Sequence, residues 1–225
     1  MKLNIFLQLL RGELDDNPNS EDARLWSDYE LVGYIQEGQI KFCNDTLLLK
    51  KSFTVSLIAE PLTREYSLDP RIISVETVQP PDRIPLERKL VAEMNVLDPR
   101  WRIKEADTPR IFIPDADTGT IIFWPPAISA ETETLTAYIE PLDSLFTDKG
   151  AVNYTLDMAI ADRYLEGPKY WAKKCAYSKS DVETHMPQKA DEYRQLYLQF
   201  VEDTRRKTIR TRGNLEQMRA HPGML

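Results

Sequence analysis

The spacing of the apolar residues changes twice along this 225-residue chain, near Ser52 and near Glu140. Before the first change, apolar residues recur every three or four positions, which is the period of an amphipathic helix. Between the two changes they alternate or are β-branched, which is typical of strands. After the second change the helical period returns. The pattern predicts an α+β fold with a helical-bundle body (residues 1–51 and 141–203), a β-rich insert (52–140) and an extended basic C-terminal arm (204–225).

Two helices are predicted before the insert and three after it. The clearest start is at Ser27, because Ser27 and Glu30 have the spacing of a capping box, in which each side chain satisfies a backbone N–H group at the helix start. Leu31 and Ile35 then continue one apolar face. A Gly-Pro pair at 167–168 is expected to end the first helix after the insert. The predicted helices cover residues 3–14, 28–43, 151–166, 169–180 and 186–207.

The insert is predicted to hold six strands and one short helix. Proline and charged residues separate the strand segments. The turn at Gly119 is expected to need a positive φ angle, which glycine adopts without steric cost. An insert of this size cannot enter the core of a helical bundle, so we expect it to project from a loop. The predicted strands cover residues 53–58, 64–68, 71–78, 110–114, 119–125 and 133–140, and the helix covers 86–97.

Charge is distributed unevenly along the chain. Residues 204–225 hold six basic residues and one acidic residue, a net charge of +5, so residues 1–203 carry −12 of the total of −7. The basic segment has three interpretations: a frayed terminus, an arm that orders on a partner, or a nucleic-acid-binding segment. An acidic body disfavours the third, because it repels phosphate. With few apolar residues, the arm is expected to be mobile in the free chain.

Sequence signatures of enzymes and of cofactor sites are absent. There is no phosphate-binding loop, dinucleotide fingerprint, zinc-protease motif or nucleophile elbow. With two histidines and no CxxC pair, the chain is expected not to be an enzyme and to bind neither a cofactor nor a metal. Cys43 and Cys175 are expected to be buried, unreactive thiols, which suits a reducing cytoplasm. No apolar stretch approaches the roughly 20 residues of a membrane span, and the N-terminal region lacks the features of a secretory signal.

Two clusters in the insert have both a functional and a structural interpretation. Asp115, Asp117 and Gly119 faintly resemble a calcium loop, but the glycine is one position too early and no Glu closes the loop, so a hairpin turn is favoured. Four aromatic residues could stack on nucleic-acid bases. Few basic residues are interleaved with them, so core packing is favoured. These aromatic residues are Trp101, Phe112, Phe123 and Trp124.

Four parts of the sequence occur in an order that is typical of one family. They are WSDYEL at 26–31 with YIQEGQ at 34–39, LDPRW at 97–101, RIFIPDADTGTIIFWPP at 110–126, and a helical end made of YIEPLDSL at 138–145, AYSKSDVE at 176–183 and KADEYRQLYLQF at 189–200. Over roughly residues 3–203, this order and spacing resemble the head-to-tail adaptor (connector or neck) proteins of tailed bacteriophages. The long basic segment beyond about Thr204 departs from the family pattern.

The resemblance implies a structural virion protein of the phage neck, made in the host cytoplasm. Such proteins form rings of about twelve copies that bind the portal protein on one side and tail or nozzle proteins on the other. Double-stranded DNA passes through the ring channel without sequence-specific binding, and an acidic wall suits that passage. We assign two residue sets to these contacts as hypotheses. Portal docking is assigned to Arg205, Arg206, Lys207, Ile209, Arg210, Arg212, Leu215 and Met218, and contact with the tail or a neighbouring subunit to Phe112, Asp115, Asp117, Phe123 and Trp124.

Three other classes remain as alternatives. The first is another neck or tail-completion protein of a phage. The second is a nucleic-acid-binding module that acts through the basic arm, which would show as a gel shift at low salt that added salt abolishes. The third is an enzyme whose site no motif reveals, which would show as a concave pocket with perturbed carboxylates.

Overall fold

The computed structural model describes residues 1–16, 24–59, 64–103, 105–115, 119–141, 143–180 and 184–220; of Asp115 and of residues 210–220 it describes the backbone alone. The fold is mixed α+β. The chain divides into two units, one formed by Met1–Leu48 with Pro141–Leu225 and the other by Leu49–Glu140. The first unit is helical, and the second holds the strands together with one short helix.

Four helices form the first unit. Helix α2 packs against α4, and α4 packs against α5, while α1 contacts α2. Leu31, Ile35 and Phe42 of α2 are completely buried, as the predicted apolar stripe requires. The side chain of Ser27 accepts a hydrogen bond from the Glu30 backbone N–H group, which confirms the capping box. These helices are α1 (Leu3–Glu13), α2 (Asp28–Thr46), α4 (Glu166–Ser178) and α5 (Pro187–Ala220).

Two glycines allow α2 and α4 to approach closely. A Cβ atom at Gly38 would lie 2.8 Å from the carbonyl oxygen of Pro168, and one at Gly167 would lie 2.5 Å from the ring of Phe42. Both distances are shorter than van der Waals contact, so no larger residue fits without moving a helix.

The Gly-Pro pair at 167–168 lies in the first turn of α4, where proline is tolerated. The prediction that this pair ends a helix is wrong.

The helix predicted over residues 151–166 is also wrong. This segment forms turns, isolated bridges and one 3₁₀ turn at Asp162–Tyr164. Its carbonyl groups accept hydrogen bonds from the start of α1: the Leu3 N–H group donates to Leu156 O at 2.9 Å and the Asn4 N–H group donates to Tyr154 O at 3.2 Å. The first N–H groups of a helix have no partner within it, and α1 has no side-chain cap. A distant contact therefore overrides the helical spacing of the segment.

The second unit contains two sheets, in which most neighbouring strands are antiparallel. One sheet has the strand order β1-β7-β3, and the other has the order β2-β6-β5-β4, in which β4 runs parallel to β5. Met94, Trp101, Ile111, Ile113 and Ile122 form a buried cluster. Gly119 has a φ angle of 66°, which confirms the predicted turn between β5 and β6. The strands are β1 (Lys50–Leu57), β2 (Glu65–Ser67), β3 (Ile72–Gln79), β4 (Glu87–Arg88), β5 (Ile111–Asp115), β6 (Thr120–Trp124) and β7 (Glu131–Ile139).

The helix predicted over residues 86–97 is only partly correct. Its first residues form β4, because the Glu87 N–H group donates to Arg110 O at 2.9 Å and the Lys89 N–H group donates to Phe112 O at 3.1 Å. Helix α3 (Val91–Leu97) begins after Leu90, whose backbone N–H group donates to the Glu93 carboxylate at 2.7 Å. Pairing with β5 thus takes the first turn of the predicted helix into a sheet.

Candidate docking surfaces

The basic C-terminal segment continues helix α5. The backbone is helical without interruption from Pro187 to Ala220, so the prediction of an extended arm is wrong over 204–220, and the helix predicted over 186–207 is too short. Residues 221–225 lie outside the described part of the chain. At 1.5 Å per residue, a helix of 34 residues is about 51 Å long.

The base of this segment is packed against the end of α2. Thr204 is only 2% exposed. The Arg205 guanidinium donates a hydrogen bond to the Asp45 carbonyl oxygen, one of the last carbonyl groups of α2. A cation at the C-terminal end of a helix is stabilised by the helix dipole. The packed part of α5 therefore includes Thr204, Arg205 and the half-buried Thr208.

A buried tyrosine anchors the same junction. The Tyr197 hydroxyl group donates to the Asp45 carboxylate at 2.6 Å, and its ring contacts the rings of Phe42 and Trp171. Burial and the neighbouring carboxylate raise the pKa of Tyr197 far above its ordinary value, so the hydroxyl group stays a donor. Tyr197, Thr204 and Thr208 continue one face of α5. This helical spacing is the sequence signal that could have predicted the anchor. A search for apolar residues at helical spacing passes over it, because threonine is not counted as apolar.

A small cleft lies between the end of α2 and α5. Its volume is about 310 Å³, and residues 44–47 line it together with Arg205, Thr208 and Ile209. Leu47 ends α2 in the left-handed conformation, with a φ angle of 50°. Ile209 is 66% exposed at the edge of the cleft. Sequence reasoning did not predict this cleft.

The residues assigned to portal docking are therefore in different environments. Arg205 is engaged with α2, and Arg206 forms an ion pair with Glu202 at 3.0 Å one turn earlier. Lys207 and Ile209 are exposed. The remaining four lie on the helical backbone of α5, and the description of that part does not include side chains. They are Arg210, Arg212, Leu215 and Met218.

Two of the five residues assigned to tail contact are buried in the core, and a third is half-buried. Phe112 and Phe123 are each 1% exposed and face each other in the pairing of β5 with β6, so they are core residues and cannot form a contact surface. Trp124 is half-buried, and its indole N–H group donates to Trp101 O at 3.1 Å. Successive side chains of a strand point to opposite faces of the sheet, so burial of residues 111–113 and 121–123 means that both faces of the β5–β6 pair are covered.

Of the two aspartates of this set, one lies within the described residues. Asp115 is the last residue of β5 and is paired with Thr120 through the backbone. Asp117 lies outside the described residues. The hairpin that was favoured over a calcium loop is thus present as two antiparallel strands with Gly119 at the turn.

The described residues offer no arrangement that fits catalysis by a metal or a thiol. Among them, no group of three or more His, Cys, Asp or Glu side chains is close enough to hold a metal ion. Cys43 is fully buried, and burial raises the pKa of Cys175 to about 11, so the Cys175 thiol stays protonated at neutral pH. Within the described ranges, no helix has the length and the apolar composition needed to cross a membrane.

A buried ion cluster connects α1 with α4. The Glu13 carboxylate accepts hydrogen bonds from Lys169, at 2.7 Å, and from Lys173, and both lysine side chains are almost completely buried. Burial alone would raise the pKa of Glu13, but the two ammonium groups outweigh it and lower that pKa below its ordinary value. This cluster holds helices together and leaves no free charge for a ligand.

No protein-family model matches this chain, and no curated protein matches it in sequence.

Proposed function

We propose that this chain is a head-to-tail adaptor of a tailed bacteriophage. In this role, copies of the chain form a ring, of about twelve subunits, between the portal protein and the tail or nozzle proteins, and double-stranded DNA passes through the channel. The helical unit is the helical-bundle body of the adaptor, and the protein is located in the neck of the virion. The resemblance of residues 3–203 to this family supports the proposal.

One structural observation carries the proposal furthest. Helix α5 is anchored in an acidic body through Thr208 and continues as helical backbone into a segment rich in arginine. A basic helix on an acidic protein suits a partner with an acidic groove, because charge-assisted hydrogen bonds form between arginine and carboxylate groups. Arg205 donates to Asp45 and Arg206 forms an ion pair with Glu202, so we assign the docking charge to Arg210 and Arg212, which follow them in the sequence.

Truncation tests the docking role. Deleting residues 210–225 removes Arg210, Arg212 and Arg219 and leaves the anchor at Asp45 intact. We expect an unchanged melting temperature and at least a tenfold loss of affinity for portal rings of the same phage, measured by co-sedimentation. Raising the salt concentration from about 0.1 to 1 M should weaken the full-length complex, because the Debye length falls from about 10 to 3 Å.

A charge-matched control separates docking from a general effect of charge. Arg194 is 60% exposed on the same helix within the body. Arg194→Gln should leave portal binding unchanged, whereas Arg210→Gln and Arg212→Gln, each made singly, should weaken it. Equal binding of the truncated and full-length chains would refute the docking role. A gel shift of double-stranded DNA that depends on residues 210–225 would instead favour the nucleic-acid-binding alternative.

A further inference from the structure

A small cavity lies between the two sheets of the second unit. Its volume is about 110 Å³. Residues 68–70 and 72–75 line it from strand β3 and the turn before β3, and Arg88, Pro114 and Gly119 line it from the side of the other sheet. Aliphatic side chains and prolines make up most of this lining. The cavity is therefore mainly apolar, and its lining also includes two charged residues, Asp69 and Arg88.

The size of the cavity limits what can enter it. Pockets for cofactors and drug-sized ligands usually have volumes of about 300–1,000 Å³. An apolar cavity of about 150 Å³ is large enough to bind benzene. The present cavity of about 110 Å³ is smaller than either, so it admits one aliphatic side chain, such as that of valine or leucine.

The backbone of Arg88 forms an open strand edge beside this cavity. The N–H groups of Glu87 and Lys89 both donate to carbonyl groups on the β5 side of β4. The N–H and C=O groups of successive strand residues point to opposite sides, so those of Arg88 point away from β5. On that side, the Leu86 N–H group donates to Val78 O of β3 at 2.9 Å, but no described group is hydrogen-bonded to the backbone of Arg88. An open edge of this kind pairs with an added extended strand.

The Arg88 guanidinium has no carboxylate partner among the described side chains. The other charged residue of the lining, Asp69, accepts hydrogen bonds from Arg71 Nε at 2.9 Å and from Arg71 Nη2 at 2.6 Å. These bonds lower the pKa of Asp69 to about 2, so Asp69 stays an ionised partner of Arg71 and does not exchange protons near neutral pH. Glu87 and Lys89 lie on the opposite face of β4 and pair with each other at 2.5 Å.

We propose that the cavity and the Arg88 edge bind an extended segment of a partner protein that carries an aliphatic residue and an acidic residue two positions apart. Side chains two positions apart lie on the same face of a strand. The aliphatic side chain fills the cavity, the carboxylate meets the Arg88 guanidinium, and the backbone pairs with the N–H and C=O groups of Arg88. This binding site goes beyond the adaptor role and does not depend on it.

Charge complementarity favours an acidic partner segment at this place. Residues 1–203 carry a net charge of −12, so the protein as a whole repels acidic segments. Beside the cavity, however, Arg88 is unpaired, and Lys51 lies close enough to Asp69 to contribute to the lowering of its pKa. A small aliphatic acid would match the cavity and the guanidinium but would leave the strand edge unpaired. A peptide segment satisfies all three features.

Fluorescence anisotropy with labelled peptides and the full-length chain tests the proposal. The probes are acetyl-Thr-Ser-Leu-Thr-Glu-Ser-Thr-amide and the peptide with Leu and Glu exchanged, because an open edge accepts a strand in either direction. We expect at least one probe to bind saturably with a Kd below about 1 mM. The register control has the order Leu-Glu-Thr, which places the carboxylate on the opposite face of the strand, and it should bind about tenfold more weakly.

A matched pair of protein variants locates the peptide. Arg88→Glu should weaken binding by about tenfold because it replaces attraction by repulsion. Arg110→Glu is the control, since Arg110 is exposed on the same unit and outside the cavity, and it should leave binding unchanged. A peptide with Lys in place of Glu should reverse the order and bind Arg88→Glu better than the wild type. All variants should retain the wild-type melting temperature, since both arginines are exposed.

Substitutions in the peptide test the size of the cavity. Ala in place of Leu leaves the cavity partly empty and should weaken binding by about tenfold. Trp in place of Leu should abolish binding, because its ring system is larger than benzene. 4-Methylpentanoate, which has the isobutyl group and a carboxylate without a peptide backbone, should not displace the probe at the same concentration. Displacement by this acid would show that the site takes a small molecule and would overturn the proposal. Failure of both probes to bind, equal binding of the register control, or binding that is unaffected by Arg88→Glu would also overturn it.

Discussion

Neutralising Glu133 should stabilise the second unit at neutral pH. This residue lies on β7, is 0% exposed, and has two carboxylate oxygens without a hydrogen-bond donor. The nearest cation is Arg83, whose guanidinium nitrogen is 3.6 Å from a Glu133 oxygen. Arg83 is more closely engaged with Glu131, and it donates to Pro109 O at 3.4 Å. Two carboxylates therefore share one guanidinium group, and the buried one is poorly compensated.

The size of the effect follows from this arrangement. Burial raises the pKa of Glu133 above its ordinary value of 4.5, and the negative charge of Glu131 adds to this shift. The positive charge of Arg83 opposes the shift but does not cancel it. A buried polar group without a hydrogen bond costs about 1–3 kcal/mol. Glu133→Gln removes the charge at nearly the same volume but keeps an amide that still lacks partners. We therefore expect the free energy of unfolding to rise by about 1–2 kcal/mol at pH 8.

The pH dependence has a definite sign. Because the folded-state pKa of Glu133 is higher than the unfolded-state pKa, the native protein binds more protons between these two values. Stability from this group is thus lost as pH rises from the unfolded-state pKa through the raised folded-state pKa. Glu133→Gln does not titrate. The difference in stability between variant and wild type should be near zero at acid pH and should reach its plateau above the folded-state pKa.

Urea unfolding at a series of pH values measures this difference. Trp101 is 2% exposed and lies in the same unit, so tryptophan fluorescence reports its unfolding. Carboxylates with a lowered pKa, such as Glu13, affect both proteins equally and cancel in the difference. Glu131→Gln is the matched control and should not stabilise the unit, because it removes the closest partner of Arg83. A difference that is flat with pH, or a less stable Glu133→Gln variant at pH 8, would refute the reasoning.

Four further substitutions test the packing of the helical unit, each by its melting temperature and free energy of unfolding. Glu13→Gln should cost about 1–3 kcal/mol, because it removes the carboxylate partner of the buried Lys173 and leaves Lys169 with Glu166 alone. Gly38→Ala should cost about 1–3 kcal/mol, since its Cβ would lie 2.8 Å from the Pro168 carbonyl oxygen. Gly12→Ala should instead stabilise the chain by about 0.5–1 kcal/mol, because a Cβ at Gly12 would have no atom within 4 Å and alanine favours a helix over glycine. Leu31→Asp should cost several kcal/mol by placing a charge at a fully buried position, and wild-type melting of that variant would show that the assigned face of α2 is wrong.

Features that depend on neighbouring residues could be predicted from the sequence. The start of α2 at Ser27 is determined by a capping box within four residues, and the β5–β6 hairpin by Gly119 and the alternation around it. Features that depend on distant partners could not. Leu156 and Ile160 have helical spacing, but the unpartnered N–H groups of α1 take the carbonyl groups of that segment. Glu87 likewise pairs with β5, a partner that is distant in sequence, and so belongs to strand β4 and not to the predicted helix.

The candidate sites follow the same rule. The exposed basic segment could be read from composition, but its anchor on Asp45 could not, because Thr204 and Thr208 are polar by type although they lie on the packed face of α5. Phe112 and Phe123 could be identified as strand residues. The sequence also favours core packing for them, but it does not specify that both faces of the β5–β6 pair are covered, because that depends on which other elements pack against each face.

The anchor changes how the basic segment would act in the proposed docking. An extended mobile arm would have to lose about 1–2 kcal/mol of backbone entropy for each residue that orders on a partner. In this structure the backbone of residues 204–220 already continues a helix that is held at its base by Tyr197 and Arg205. A preorganised segment loses less entropy on binding, so a given set of ion pairs yields more affinity. Breaking the anchor should therefore weaken portal binding without changing the charge of the arm.

Tyr197→Phe tests this expectation, because it removes only the hydroxyl donor to Asp45. It should reduce portal affinity by a smaller factor than deleting residues 210–225. Portal affinity that is indifferent to Tyr197→Phe would show that the arm binds by its charge alone.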